Sequence, residues 1–312
     1  MENHFQQKTT KYIETLALKS KAVRDMYFYN SDFENIPIDV SRDVLLEKKN
    51  SPTKGLVHKF GNRAMMLLSY TCAANCRFCE RQDRVGVGLD KFGHLSKKEI
   101  QKAVEYISMH EEINEVIFSG GDPLSNPSGL LFACTLLSKV SHVKIFRLHT
   151  KFPIQAPSKV KFELLKKIVK LVPVFYMSIH VNHPDELNEF TIPVLSKIRK
   201  LGFIMLSQTV FLKGINDNVD ILKQLFKQLS EIGVRPYYIY HCTSIPTTQR
   251  FVMDIQREVD IMSSLREQLS GIAFPNHTID LMGAVGKVIV PTNHWETVRN
   301  KVTDYNGMKI ML

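Results

Sequence analysis

The chain has 312 residues, 44% of them hydrophobic, with 41 Lys and Arg against 31 Asp and Glu for a formal net charge of +10. That length accommodates one large α/β barrel or two smaller domains, and no apolar run reaches the roughly 18 residues needed to span a bilayer. The polar start Met1-Glu2-Asn3-His4 lacks the apolar core of a signal peptide, and 5 cysteines are too few and too irregularly placed for a disulfide framework, so a globular protein of the reducing cytoplasm is expected. The basic surplus suits nucleic acid, cofactor phosphates or an acidic electron donor, or is simply a basic surface; with no RNA-binding motif or dense basic tract, nucleic acid is not expected.

In chain order, residues 1–55 read as an N-terminal layer of helices and irregular segments, with a looser stretch from Asn30-Ser31-Asp32 to Ile36-Pro37-Ile38. The cationic, turn-forming run Gly55 to Arg63 is expected to lie just before the first strand. Apolar runs at 65–69, 115–118, 143–148, 174–180, 203–211 and 235–241 then alternate with segments of helical periodicity. Six strands in a βα series predict a parallel sheet or barrel. Ser96 and Glu99 form a capping box ahead of Ile100, Ala103, Val104 and Ile107. Leu222, Leu225, Phe226 and Leu229 repeat that spacing before a stop at Gly233, and Pro184 to Gly202 reads as another helix. A last helix over 252–269 precedes a strand, turn and strand across 277–290. The expected division is a helical layer at 1–55, a (β/α)6 core at 56–243 and a C-terminal segment at 244–312 that completes the site.

The first strand runs into Cys72-Ala73-Ala74-Asn75-Cys76-Arg77-Phe78-Cys79, a C-x3-C-x2-C spacing. Three thiolates holding a [4Fe–4S] cluster leave one iron free to bind a small molecule. The competing zinc reading needs a second cysteine or histidine pair, which the chain lacks. Reactive groups of a barrel collect at the C-terminal strand ends. There stand Cys72, Gly120-Gly121-Asp122, His149 and Lys151, His180 and Asn182, Gln208, and Tyr240 to Thr243. His58, His183 and His241 are expected as hydrogen-bonded structural groups.

The cysteine spacing, with Phe78 before the third cysteine, is similar to that of the radical S-adenosylmethionine (SAM) enzymes. From about Leu56 to Pro291 the chain resembles their lysine 2,3-aminomutase family. The family pattern H-R-Y-P-D-R appears as His58-Lys59-Phe60-Gly61-Asn62-Arg63, and S-G-G-D-P-L is intact at Ser119 to Leu124. H-F-N-H-P appears as His180 to Pro184, Q-S-V-L-L-R-G-V-N-D as Gln208 to Asp217, and R-P-Y-Y-I-Y as Arg235 to Tyr240. The resemblance implies a partial (β/α)6 barrel of TIM type with a C-terminal hairpin extension, and a cluster on Cys72, Cys76 and Cys79 whose open iron is chelated by SAM. Reductive cleavage would then give a 5′-deoxyadenosyl radical. Ser119, Gly120, Gly121, Asp122, His180 and Asn182 match cofactor-contacting positions, although Gly-Gly-Asp-Pro is also an ordinary turn sequence.

Family members carry pyridoxal phosphate (PLP) on a lysine that corresponds to Lys287 in Met282-Gly283-Ala284-Val285-Gly286-Lys287. Arg63 and Gln208 match phosphate-contacting positions, with Lys59 and Phe60 replacing an arginine and a tyrosine, and Ala284 and Val285 replacing glycines. The alternative for Lys287 is a solvated hairpin lysine. Arg81 matches the arginine that pairs with a substrate carboxylate, its alternative being a surface charge. Asp280 matches one of two aspartates for a distal ammonium, with Thr243 in the place of the other, so L-lysine is not the expected substrate. Asn218 stands where the lysine enzymes have a zinc-binding cysteine and the chain ends before their C-terminal extension, so no zinc site is expected. The implied activity is a 2,3-aminomutase-type amino group migration in a small amino-acid-like molecule, fed by a flavodoxin- or ferredoxin-like donor. Its alternatives are a PLP-independent radical enzyme (epimerase, dehydrogenase or other mutase) and, from another class, an iron–sulfur electron carrier or basic nucleic-acid-binding module. The last leaves Ser119 to Leu124, Gln208 and Arg81 without a purpose.

Overall fold

The computed structural model describes residues 5–34, 43, 46–86, 93–281, 286–296, 301–303 and 308–311. The turn expected at Met282 to Val285 and the stretch Ile36-Pro37-Ile38 lie outside the described residues. One sheet of nine strands organises the fold, in the order β1 (Leu56–Phe60), β2 (Arg63–Ser69), β3 (Glu115–Gly120), β4 (Ile145–Thr150), β5 (Val174–His180), β6 (Ile204–Val210), β7 (Arg235–Tyr240), β8 (Asn276–Asp280) and β9 (Lys287–Ile289). Neighbours from β2 to β8 pair parallel, while β1 and β9 pair antiparallel at the two ends. The six predicted strands are therefore present as β2–β7, a partial (β/α)6 barrel of TIM type extended by β8 and β9. Among the described residues no helix is long and apolar enough to cross a membrane.

Strand alternation sorts the side chains into two faces. Ala64, Met66, Val116, Phe118, Phe146, Leu148, Phe175 and Met177 pack outward into the main core with the helices Lys97–Ser108, Pro127–Leu137, Phe162–Ile168 and Thr191–Lys200. Phe118, Phe146, Phe175 and Phe203 meet edge-on or tilted down its middle, with successive centroids 5.4, 5.4 and 4.9 Å apart. The register places Arg63, Met65, Ser119, Arg147, His149, Ser178, His180, Gln208, Tyr238, Tyr240, Asp280 and Lys287 on the opposite, inward face. A second core joins the helices Lys11–Ala17 and Lys21–Tyr27, through Ile13, Val23, Met26 and Tyr27, to Ala74, Leu212 and Phe251. This packs the N-terminal layer directly on the cysteine loop.

Two expectations change. Residues 56–60 are strand, not an irregular prelude: Gly61-Asn62 is a two-residue connection between antiparallel strands, a hairpin signal readable in the sequence. Pro184 opens only the single 3-10 turn Pro184–Glu186, and the α-helix runs from Thr191 to Lys200. A helix from 184 onward would bury Pro193 in its interior; starting at Thr191 puts that proline in the first turn, where no N–H is required. The uninformative C-terminus contributes a small antiparallel sheet of Trp295–Glu296, Lys301–Thr303 and Lys309–Met311. Asn218 caps the helix Val219–Glu231, its side chain accepting from Asp220 N–H at 2.7 Å.

Candidate active site

The loop after β2 presents Cys72, Cys76 and Cys79 as free, partly accessible thiols. The N-terminal layer pins it: Lys8 Nζ donates to Cys72 O at 2.6 Å, Asn75 N–H to Lys8 O at 2.8 Å and Arg77 N–H to Met26 O at 2.8 Å. From the barrel side, Gln155 Nε2 donates to Ala74 O at 2.9 Å and lies 3.5 Å from Cys76 Sγ. Burial pushes all three thiols up, Cys76 to about 11 and Cys79 to about 12, and neighbouring thiols add to the shift of Cys72 and Cys79. Ligation must therefore displace protons. Among the described residues no three His, Cys, Asp or Glu side chains converge as one metal ion requires. Three thiols on one loop, close enough to influence one another, fit a cubane whose irons sit at separate corners, and the Gln155 amide supplies an N–H to one sulfur.

Gly120 and Gly121, which match cofactor-contacting positions, lie in close approach to backbone. Gly120 has φ +121°, and Gly121 N–H donates to Ser69 O at 2.6 Å. A Cβ on Gly120 would stand 2.2 Å from Ser69 O, and one on Gly121 2.7 Å from Thr71 O. The Asp122 carboxylate, at another of those positions, is engaged within the protein. It accepts from Leu124 N–H at 3.0 Å, Thr150 Oγ1 at 2.8 Å, Lys151 N–H at 2.8 Å and Phe152 N–H at 3.0 Å. Burial nevertheless pushes its pKa up to about 6. Asn182 is likewise a brace, its Oδ1 accepting from Val210 N–H at 2.9 Å.

The groups left for a polar ligand are fewer. Among the described residues the His180 imidazole makes no hydrogen bond, and Ser178 Oγ, buried on the same strand face and missed in the sequence, has no partner. Buried Ser119 completes this end of the barrel. A hydroxyl and an imidazole at the C-terminal end of β5, each without a hydrogen-bond partner among the described residues, fit a nucleoside cofactor. Of the histidines expected to be structural, His58 meets Tyr106 Oη at 2.9 Å, His183 accepts from Asp185 N–H at 3.2 Å and His241 meets Glu258 at 2.9 Å.

Most of the inward-facing cations of the barrel, and Arg81 after the cysteine loop, face an internal carboxylate. Arg81, predicted to take a substrate carboxylate, donates to Glu47 through Nη2 at 2.7 Å and Nε at 3.1 Å. Arg147 pairs with Glu115, Lys151 with Glu186 at 2.6 Å, and Lys287 with Asp280 at 2.6 Å. Asp280, predicted to hold a distal ammonium, thus holds that of Lys287, which also lies 4.4 Å from the Tyr240 ring centroid. Thr243 donates to Glu80 at 2.9 Å, so a carboxylate that sequence reasoning overlooked stands beside the residue that lacks one. Lys59 and Arg63 differ: among the described residues neither meets a carboxylate, and both lie against Phe60, at 5.9 and 4.2 Å. Gln208 Nε2 lies 3.4 Å from His149 Nε2. An amine, two cations without carboxylates among the described residues and an amide are groups of the chemistry that PLP requires, with Arg63 at the start of β2 and Lys287 beside the end of β8. A surface cavity of about 300 Å³ that includes Arg24, Tyr29 and Arg250 in its wall lies on the N-terminal layer rather than at this mouth.

The two inward imidazoles give the barrel an acid response. Burial, then the charge of Lys151, lowers His180 to about 3; burial, then Arg147, lowers His149 well below its ordinary value. A histidine whose folded pKa is depressed contributes stability that is complete above about 6.5 and is lost as pH falls toward the folded value. The slope is up to about 1.4 kcal/mol per pH unit for each ring. His180→Gln is expected to flatten the loss of urea midpoint between about pH 6 and pH 4 relative to wild type; equal slopes would contradict the assignment.

A barrel with a three-cysteine cluster loop at its mouth defines the class, and a profile described as the radical SAM superfamily matches residues 66–225. The chain belongs to that superfamily. It is 34% identical over 253 residues to a putative L-lysine 2,3-aminomutase of Aquifex aeolicus (strain VF5), covering 81% of this chain and 67% of that one. It is 31% identical over 270 residues to an L-lysine 2,3-aminomutase of Methanococcus maripaludis, covering 85% and 61%, and 32% identical over 253 residues to that of Clostridium subterminale, covering 81% and 60%. Within the superfamily it belongs to the lysine 2,3-aminomutase-like family, while spanning only 60–67% of the length of these relatives. Among solved structures, a radical SAM methyltransferase from Sphaerobacter thermophilus aligns with TM-score 0.51 at 11% identity, over 72% of this chain and 68% of that one. Streptococcus suis SuiB bound to S-adenosylmethionine aligns with TM-score 0.50 at 13% identity, over 74% and 52%. These two share the fold.

Proposed function

We propose that this chain is a radical SAM enzyme that moves an amino group between adjacent carbons of a small amine-bearing molecule, with PLP on Lys287. The observation that carries this reading is Lys287 on the inward register, paired with Asp280 and 4.4 Å from the Tyr240 ring, in a barrel whose Lys59 and Arg63 meet no carboxylate among the described residues. When bound, the cluster and SAM supply a hydrogen-abstracting 5′-deoxyadenosyl radical and PLP supplies a π-system for the migrating amino group. Cys72, Cys76 and Cys79 hold the cluster and Gln155 donates to a ligating sulfur. His180 and Ser178 bind the nucleoside, and Asp122 and Asn182 hold the strand ends that carry them. Lys59, Arg63 and Gln208 bind phosphate, and Lys287 provides the amine. Asp280, Glu80 and the Tyr240 face orient a substrate ammonium. The net charge of +10 suits an acidic flavodoxin- or ferredoxin-like donor.

Anaerobically reconstituted protein with added PLP is expected to absorb near about 400–430 nm and, after borohydride, to carry the label on the peptide of Lys287; Lys287→Ala should lose both. A second reading, radical chemistry without PLP, is favoured by the Lys287–Asp280 ion pair, which already gives the amine a partner. It would be established if Lys287 stays unlabelled while deuterium from a labelled small molecule enters 5′-deoxyadenosine.

A further inference from the structure

Most of the surplus positive charge stands on one side wall of the barrel. Lys159, Lys161, Lys166, Lys167 and Lys170 are exposed on and around the helix Phe162–Ile168. The last turn of Thr191–Lys200 adds Lys197, Arg199 and Lys200, also exposed. Lys197 Nζ lies 3.9 Å from the Phe162 ring centroid, so the two helices present one face. Glu163 is the single acid on them, and eight cations against one carboxylate hold seven of the net +10. Among the described residues none of the eight is ion-paired, whereas the surface lysines Lys21, Lys54 and Lys227 each are. The strand β5 separates the two stretches, which is why the sequence shows no dense basic tract. Cations at a helix C-terminus complement its dipole, which accounts for Lys166, Lys167 and the last turn of the second helix. Lys159 and Lys161 stand at an N-terminal end, where positive charge is unfavourable, and the dipole leaves them unexplained.

The wall begins beside the cluster loop. Lys159 ends the 3-10 turn Pro157–Lys159 that follows the short helix Phe152–Gln155, and four residues of chain keep its Cα within about 14 Å of that of Gln155. Gln155 Nε2 is 3.5 Å from Cys76 Sγ. Phe152–Gln155 also packs on Thr191–Lys200. At the cap of that helix Phe190 is 58% exposed, edge-on to Tyr12 of the N-terminal layer at 5.9 Å. The rest of the wall carries no large exposed apolar side chain.

We propose that this wall is the docking face for the acidic one-electron carrier protein that reduces the cluster. In that encounter the carrier is oxidised by one electron and the cluster on Cys72, Cys76 and Cys79 is reduced by one, with no atom transferred. Charge complementarity selects and steers an acidic partner, and a lysine face with one aromatic at its edge suits a fast, weak encounter rather than a tight interface. The cations alone would attract nucleic acid as well. The position one short helix from Cys76 favours the electron carrier. The proposal rests on the reading of the three cysteines as cluster ligands and is independent of PLP and of the substrate.

The test mixes the cluster-loaded chain with a purified acidic flavodoxin reduced to its hydroquinone and follows cluster reduction by stopped flow. Lys159→Gln with Lys161→Gln and, separately, Lys166→Gln with Lys167→Gln should each lower the second-order rate about 3–10-fold at low salt and flatten its salt dependence. Lys98→Gln with Lys102→Gln removes equal charge from the exposed side of the helix Lys97–Ser108 and should leave the rate within about twofold. Dithionite should reduce the cluster of all four proteins equally. Binding of oxidised flavodoxin, read by flavin fluorescence, should weaken in the two wall variants and not in the control. Equal losses in the control, unchanged wall variants, or no salt-sensitive flavodoxin binding to wild type would overturn the proposal. A labelled RNA duplex that depends on the wall lysines while flavodoxin does not would overturn it in favour of nucleic acid. A cluster that dithionite cannot reduce, with wall-dependent flavodoxin binding intact, would count against the cluster reading and leave the docking face standing.

Discussion

Gly120→Ala should unfold the junction between the cluster loop and the barrel, lowering stability by more than about 4 kcal/mol and leaving protein that retains little iron after reconstitution. Two independent causes add. The residue sits at φ +121°, where an L side chain is strained, and its new Cβ would stand 2.2 Å from Ser69 O. That oxygen is backbone at the end of β2 and accepts Gly121 N–H at 2.6 Å, so it cannot swing aside as a side chain would. Relief requires β3 to move from β2, carrying the Asp122 N–H to Thr71 O bond of 2.9 Å with it. Gly61→Ala is the control, since a Cβ there meets nothing within 4 Å. The urea midpoint and the iron and sulfide content of the two variants decide the matter: equal values would show that the close approach is not structural.

This junction also marks how far the sequence could be read. The strands β2–β7 were legible because each is an apolar run bounded by helical periodicity, and local pattern suffices for that. The cysteine loop was legible from spacing alone. Gly120, Gly121 and Asp122 stand out in the sequence as a unit, yet their contacts depend on what β2 and β4 bring to them, and no local signal reports that Thr150 and the Lys151 N–H will claim the carboxylate. The same holds for Arg81. Its partner Glu47 is 34 residues away, in a stretch with no motif. Glu80 was the easier omission, because it adjoins Cys79 and its position at the mouth follows from the cysteine's. Ser178 gave no signal beyond a polar residue inside an apolar strand, which is itself a departure from pattern worth reading as a site.

The charge pairs of the mouth differ in what their loss should do, and Lys151 with Glu186 is the most consequential. Glu186 is fully buried, accepting from Lys151 Nζ at 2.6 Å and from Asn182 N–H at 2.6 Å. Lys151→Met would leave that carboxylate without its counter-charge, and breaking such a pair from one side costs about 3–5 kcal/mol. Removing the charge from both sides, in Lys151→Met with Glu186→Gln, is expected to restore most of the loss, because the glutamine remains hydrogen-bonded and no uncompensated charge stays inside. Stability alone would make this pair a strut. Lys151 is also the leading charge that favours the Cys76 thiolate, so its removal should change the cluster itself. Taking a positive charge from beside a cluster disfavours the reduced state, and a shift to more negative potential of roughly 20–60 mV is expected in the single variant; in the double variant the loss of the Glu186 charge, which acts on Cys76 in the opposite sense, returns most of it. A redox titration followed by electron paramagnetic resonance separates the two roles. A lowered potential in the single variant that returns in the double one shows Lys151 and Glu186 setting the cluster's charge environment as a pair; an unchanged potential in the single variant, with stability lost, shows that Lys151 only braces the fold.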